Sequence, residues 1–226
     1  MAGDFDPQVR RRLIHEAVVR LLVREGIDAV SLRNVAREAG LALGSLRYIH
    51  PCRADLLIAV AEELYHRNVA RAAALVDPSD PAGSARALAE MMLLMEERDR
   101  PQVDVYLALM TEARHEPRLR RVRDSYRDGV RRACERIVRA LGPAPESSRP
   151  LTAGEAAEAA RLHVMIDGLA VALHHRAHGS GTPEEAPEEA HEEVRHRCRA
   201  VLHAELDRIA ALHGEWSAGE GQPASR

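Results

Sequence analysis

The sequence predicts an all-α protein. Apolar residues recur at helical spacing through most of the 226-residue chain, no segment alternates apolar and polar residues as a half-buried strand does, and Pro or Gly punctuates the chain at helix-length intervals. Asp6-Pro7 reads as an N-cap followed by Pro at the first helical position, and Ile14, Ala17, Val18, Leu21 and Leu22 share one face before Gly26 ends the helix. Ser31 caps a short second helix, with Leu32, Val35, Ala36 and Ala39 at helical spacing and Gly40 as its left-handed stop. A third short helix fits 42–48 and Pro51 breaks it. A longer connector then starts near Arg53, with Leu56, Leu57, Val60, Ala61 and Leu64 inward. After a turn-rich break at 77–83, helices are expected near 84–98, 102–115, 117–141, 153–178 and 187–213, with mobile loops at 142–152 and 178–187. A disordered tail is expected over 214–226.

Composition narrows the function classes. With 46% hydrophobic and 30% charged residues the chain is globular, and 3% aromatic leaves few platforms for stacking single-stranded nucleic acid. All 32 basic residues are Arg, which excludes a Schiff-base lysine and a phosphate-loop lysine. GxSxG, Walker and GxGxxG patterns are missing, so no enzyme and no cofactor are expected, with a helical enzyme or binding module as the minor alternative. The formal charge of -3 hides a split: residues 1–53 carry nine Arg against six acids, a basic end suited to a polyanion on an acidic remainder. Cys52, Cys134 and Cys198 are far apart with no CxxC pair, so free thiols in a reducing compartment are expected. The acidic start carries no signal-like apolar run, and nowhere does an apolar stretch approach the roughly 20 residues a membrane helix needs. A cytoplasmic protein with no membrane partner is the expectation.

The informative stretch is 31–57, SLRNVAREAGLALGSLRYIHPCRADLL, two short helices joined by a tight Ala39-Gly40-Leu41 turn. This is helix-turn-helix spacing, in which the second helix enters the DNA major groove and the first crosses the backbone. An ordinary helical corner is the bland alternative. Ser31, Val35-Ala36, Ala39-Gly40-Leu41, Ala42, Gly44-Ser45-Leu46, Tyr48, Arg53 and Leu56-Leu57 stand in the order and spacing of the TetR family of bacterial regulators, which the first quarter of the chain resembles in detail. A weaker likeness of 103–172 points to the betaine-regulator-like branch. The resemblance implies a homodimer, a DNA-binding domain (residues 1–52), and a helical ligand-binding and dimerisation domain (53–213). A palindromic double-stranded operator and a small-molecule effector that releases a repressor follow from it. Arg33, Tyr48 and Arg53 are expected on phosphates, with Leu43, Gly44, Ser45 and Arg47 on the second helix's outward side and Ser45 and Arg47 nearest the bases. Arg53 replaces the family's usual Lys, and His50 puts a polar ring where an apolar one is usual, which raises the question of stability or a pH response.

In the second half, Leu162, Met165, Leu169 and Leu173 on one helix and Val194, Cys198, Val201, Leu202 and Ile209 on the next are expected to form a four-helix interface with a second copy. An intrachain core is the alternative. Met91, Met92 and Met95, with Tyr106, Met110, Tyr126, His163 and Asp167, are candidates for an apolar ligand cavity and its few polar groups. His174, His175, His178, His191, His196, Cys198 and His203 raise a metal-responsive alternative, but no paired motif completes a set, so no metal is expected.

Overall fold

In a computed structural model, residues 6–93, 100–145, 148–177 and 188–219 are described. Among them are nine α-helices and no strand: α1 (Pro7–Glu25), α2 (Leu32–Glu38), α3 (Leu43–Ile49), α4 (Arg53–Ala74), α5 (Pro81–Met92), α6 (Arg100–Glu112), α7 (Pro117–Ala140), α8 (Ala153–Ala177) and α9 (Glu188–Gly219). A helix is present in each segment expected from periodicity; the one expected over 84–98 starts earlier, at Pro81, and ends at Met92, and 94–98 lie outside the described residues. A 3-10 turn at Ile27–Ala29, too short for any periodic signal, links α1 to α2. The last helix passes the expected end at 213 and continues to Gly219, because nothing between Leu212 and Gly219 forbids helical backbone.

The chain forms two compact units, residues 1–68 with 98–126 and residues 69–97 with 127–226. In the first unit the expected caps are in place. The Asp6 carboxylate accepts from Gln8 N at 2.9 Å, the Ser31 hydroxyl accepts from Asn34 N at 3.2 Å, and Gly26 and Gly40 hold φ of 81° and 67°. Ile14, Val18, Leu21, Val35, Leu46, Leu56 and Val60 build one buried cluster. Val105 of α6, Ala113, and Leu119 of α7 join that cluster, and α1 packs on α6, so the unit is larger than the 1–52 segment read from sequence. The reason is amphipathic: the inward stripe of α4 needs a cover that α1 to α3 do not fully supply.

The second unit packs α5, α8 and α9 around Leu88, Leu93, Cys134, Ile137, Leu162, Ile166, Leu202, Leu206 and Ile209. Thr152 and Glu155 form a reciprocal cap at the start of α8, with Thr152 N donating to the carboxylate at 2.7 Å and Glu155 N donating to Oγ1 at 3.2 Å. Arg149 completes the cluster at 2.6 Å and, with the Thr152 bonds, holds the buried Glu155 carboxyl down at about 2. Burial pushes the Cys134 thiol up to about 12. No helix among the described residues is long and apolar enough to cross a membrane.

Candidate nucleic-acid interface and ligand cleft

The orientation of α3 follows from its apolar positions. Leu46 is fully buried in the first core, and Leu43 and Ile49 pack against it. The opposite side is bare: Gly44 and Arg47 are exposed, Ser45 is half-buried, and Tyr48 keeps 91% of its surface in solvent. Gly44 is informative. A Cβ built there meets no atom within 4 Å, so packing within the chain does not require glycine, while helix propensity disfavours it by roughly 1 kcal/mol against Ala. The sequence keeps open space on the exposed face of this helix, as a close-approaching external surface requires.

The partner helix α2 is tied to α1 and to the turn before it. Glu38 near its C-terminus receives Arg20 at 2.9 Å and Arg24 at 3.1 Å, both from α1, and the hydrogen bond from Arg20 is the largest cause holding its carboxyl below the usual range. Asn34 Nδ2 donates to Ala29 O at 2.9 Å, tying α2 to the 3-10 turn. Arg33 points from this frame into solvent.

Arg53, expected on a phosphate, is largely engaged inside the unit. Its Nε donates to Val30 O at 2.8 Å, Nη2 to Ile27 O at 3.0 Å and Nη1 to Glu112 of α6 at 2.7 Å. A guanidinium has five N–H groups, so two remain for an outside acceptor. Asp55, two residues along, accepts from Cys52 N at 3.2 Å, from its Sγ at 3.0 Å and from Arg118 of α7; these bonds, that from the thiol first, hold its carboxyl below the usual range. Glu112 and Arg118 were not among the sequence candidates. Neither carries a local motif, and only the long-range pairing identifies them. His50 caps the C-terminus of α3 half-buried, and desolvation pushes its ring below the ordinary histidine value.

Of the expected ligand-binding residues, the structure brings Tyr106, Met110 and Tyr126 together in the first unit. They line a cleft between α4, α6 and α7 with Ala61, Leu64, Asn68, Val105, Val122 and Arg123. Tyr126 meets Tyr106 at a tilt, 5.1 Å between centroids, and Tyr65 edge-on at 6.3 Å. The cleft is narrow, with about 20 Å³ of space, room for a single water. Met91 and Met92 instead pack against the second unit's core, and Met95 lies outside the described residues. His163 and Asp167 pair at 3.6 Å along α8, also in the second unit.

The residues expected at a dimer interface are mostly used within the chain. Leu162, Leu202 and Ile209 are fully buried in the second core, Val194 and Cys198 are buried, and Met165, Leu169 and Leu173 are half-buried against that core; Val201 is 49% exposed. The apolar stripe of α8 that does face solvent is Ala157, Ala160, Val164, Gly168 and Val171, at successive steps of three or four, with Val164 74% exposed. Along α9, Val201 and Ala204 are exposed one turn apart, and Ala211 is exposed two turns further on beyond the exposed Asp207. Among the described residues no group of three or more His, Cys, Asp or Glu is placed to hold a metal. His203 Nε2 is paired with Glu90 at 2.5 Å, whereas His178 and the side chains of His174, His175 and His191 lie outside the description.

Residues 81–211 match the family model of the BetI-type transcriptional repressor C-terminal domain. The chain is 30% identical over 174 residues to the HTH-type transcriptional regulator PksA of Bacillus subtilis (strain 168), covering 76% of this chain and 82% of the relative. It is 28% identical over 162 residues to the HTH-type transcriptional regulator BetI of Rhizobium meliloti (strain 1021), covering 71% and 76%. A TetR transcription regulator from Haloarcula marismortui ATCC 43049 shares the fold with a TM-score of 0.64 over 89% of this chain and 98% of that one, at 17% identity. A protein from Saccharomonospora viridis solved in complex with choline does so with a TM-score of 0.68 over 87% and 96%, at 21% identity. With its helix-turn-helix unit and a BetI-type match over more than half its length, the chain belongs to the TetR family of transcriptional regulators.

Proposed function

We propose that the protein is a homodimeric repressor that reads a palindromic operator through α3 and releases it when a small molecule opens the α4–α6–α7 cleft. The observation that carries the reading is the bare face of α3, where Gly44, Arg47 and Tyr48 have no role in the protomer's own packing. Arg47 suits bidentate pairing to guanine, and Arg33, Tyr48 and the two unspent N–H groups of Arg53 suit phosphates. One short helix reads few base pairs, so a second copy spaced about 34–36 Å away supplies the remaining affinity and specificity. The exposed stripes Ala157–Val171 of α8 and Val201–Ala211 of α9 supply the contact between copies. On α8, Ala157, Ala160 and Gly168 let a second helix approach closely and Val164 and Val171 offer apolar surface to it, with the buried leucines behind them as support.

For the effector, the tyrosines bordering the cleft present electron-rich faces that attract a quaternary ammonium. Choline, bound by a structural neighbour, is therefore the first compound to test. A cleft this narrow means that binding must widen it, and only a ligand favouring the widened conformation shifts the equilibrium. The test combines light scattering with DNA retention. A particle of twice the 25.0 kDa chain mass must hold DNA without choline and release it on addition. A monomer, or a dimer holding DNA regardless of any cleft ligand, overturns the proposal.

A further inference from the structure

The second unit contains a larger cavity than the α4–α6–α7 cleft. About 330 Å³ lies between the end of α4, the 75–81 turn, α5 and the last turns of α7, within the range of about 300–1,000 Å³ usual for small-molecule sites. Its floor is apolar, formed by Ala72, Leu75, Ala85, Leu88 and Ile137 with flanking prolines. Four polar side chains border it, and they divide cleanly.

Two are already satisfied by the turn. The Asp77 carboxylate accepts from Ser79 N at 2.8 Å and Ser79 Oγ at 2.7 Å, and Ser84 Oγ accepts from Asp77 N at 2.7 Å while facing Asp77 O at 3.3 Å. The other two are cationic and under-used. Arg139 donates through Nη2 to Arg149 O at 2.8 Å, leaving its other nitrogens unpaired, and Arg136, exposed on α7, has no ion pair or hydrogen bond among the described residues. Elsewhere on α7, Arg131 is paired with Glu135 and Arg123 with Asp124. An apolar floor with guanidinium donors at its edge that no protein carboxylate occupies suits a ligand with an apolar body and an anionic head.

We propose that this cavity is a second small-molecule site, taking an amphipathic anion whose short hydrocarbon body lies on Leu75, Ala85, Leu88 and Ile137 and whose head group is held by Arg136 and Arg139. It involves none of the residues that line the tyrosine cleft, and it stands whether or not choline is the effector there.

The probe is octanoate, with 1-octanol as its uncharged counterpart, titrated into the full-length protein by calorimetry. Octanoate is expected to bind saturably below about 1 mM, and 1-octanol at least about tenfold more weakly because the guanidinium contacts are missing. Arg136→Gln, at an exposed position, should weaken octanoate about tenfold while leaving 1-octanol unchanged. Ala72→Phe, which fills the cavity, should abolish both. Tyr126→Ala, in the other cleft, should change neither. Absence of saturable octanoate binding, equal binding of octanoate and 1-octanol, binding insensitive to Arg136→Gln, or binding lost in Tyr126→Ala and kept in Ala72→Phe would each overturn the proposal. Circular dichroism of every variant separates loss of a site from loss of fold.

Discussion

Gly44→Ala separates a structural from a recognition role for the exposed face of α3, because the two predict opposite signs. The added methyl meets no atom within 4 Å in the free protein, so it introduces no clash. Gly44 is the second residue of a seven-residue helix, and exchanging it for Ala there should stabilise the fold by about 0.5–1 kcal/mol through backbone entropy and helix propensity. For a chain of this size each kcal/mol corresponds to about 2–4 °C, so the melting temperature should rise by roughly 1–4 °C. If DNA approaches this face closely, the same methyl overpacks the interface by about 1–3 kcal/mol per half-site. Two half-sites then weaken binding by at least about thirtyfold. Calorimetry and fluorescence anisotropy at one fixed salt concentration read the two effects separately. A variant that melts higher and binds DNA as tightly as the parent would refute the close-approach argument.

Other consequences follow from single residues. Arg47→Ala should lose about 1–3 kcal/mol per half-site and relax preference at one base position, whereas an unchanged preference would remove Arg47 from base reading. Val164→Glu, at a position 74% exposed, should leave the protomer's stability within about 0.5 kcal/mol but reduce the solution mass to that of one chain; a persisting dimer contradicts the α8 stripe as the interface. For His50, burial sets the folded-state value below the ordinary 6.5, so the unfolded chain takes up the proton more readily. The contribution of His50 to stability is therefore full above about pH 6.5 and declines as pH falls through that value. His50→Phe should flatten part of the difference in urea midpoint between about pH 5.5 and 7.5, and an identical slope in parent and variant would exclude this role.

The helices were legible because their signals are local. Asp6-Pro7, Ser31 and Gly40 mark ends through bonds to neighbours one to four residues away, and all three act as their chemistry predicts. What escaped the sequence depends on distant partners. Arg53 reads as a free cation at a helix start, yet Glu112, far along the chain, and two carbonyls of a 3-10 turn take three of its donors. The leucines of α8 and α9 read as an interface with a second copy, with an intrachain core as the alternative. Periodicity reports burial but not the identity of the covering chain, and in the structure the leucines turn inward while alanines and three valines, Val164, Val171 and Val201, face out. The methionines and tyrosines grouped as one cavity divide between two units for the same reason.

The central claim is that α3, presented twice, reads a specific DNA sequence. The most direct test is selection of bound fragments from the source genome by the purified protein, at moderate salt to suppress nonspecific phosphate binding. The account predicts enrichment of an inverted repeat whose half-sites lie one helical turn apart, or a multiple of it, and loss of that enrichment in Arg47→Ala. A folded, dimeric protein that enriches no sequence, or enriches the same repeat without Arg47, would contradict it.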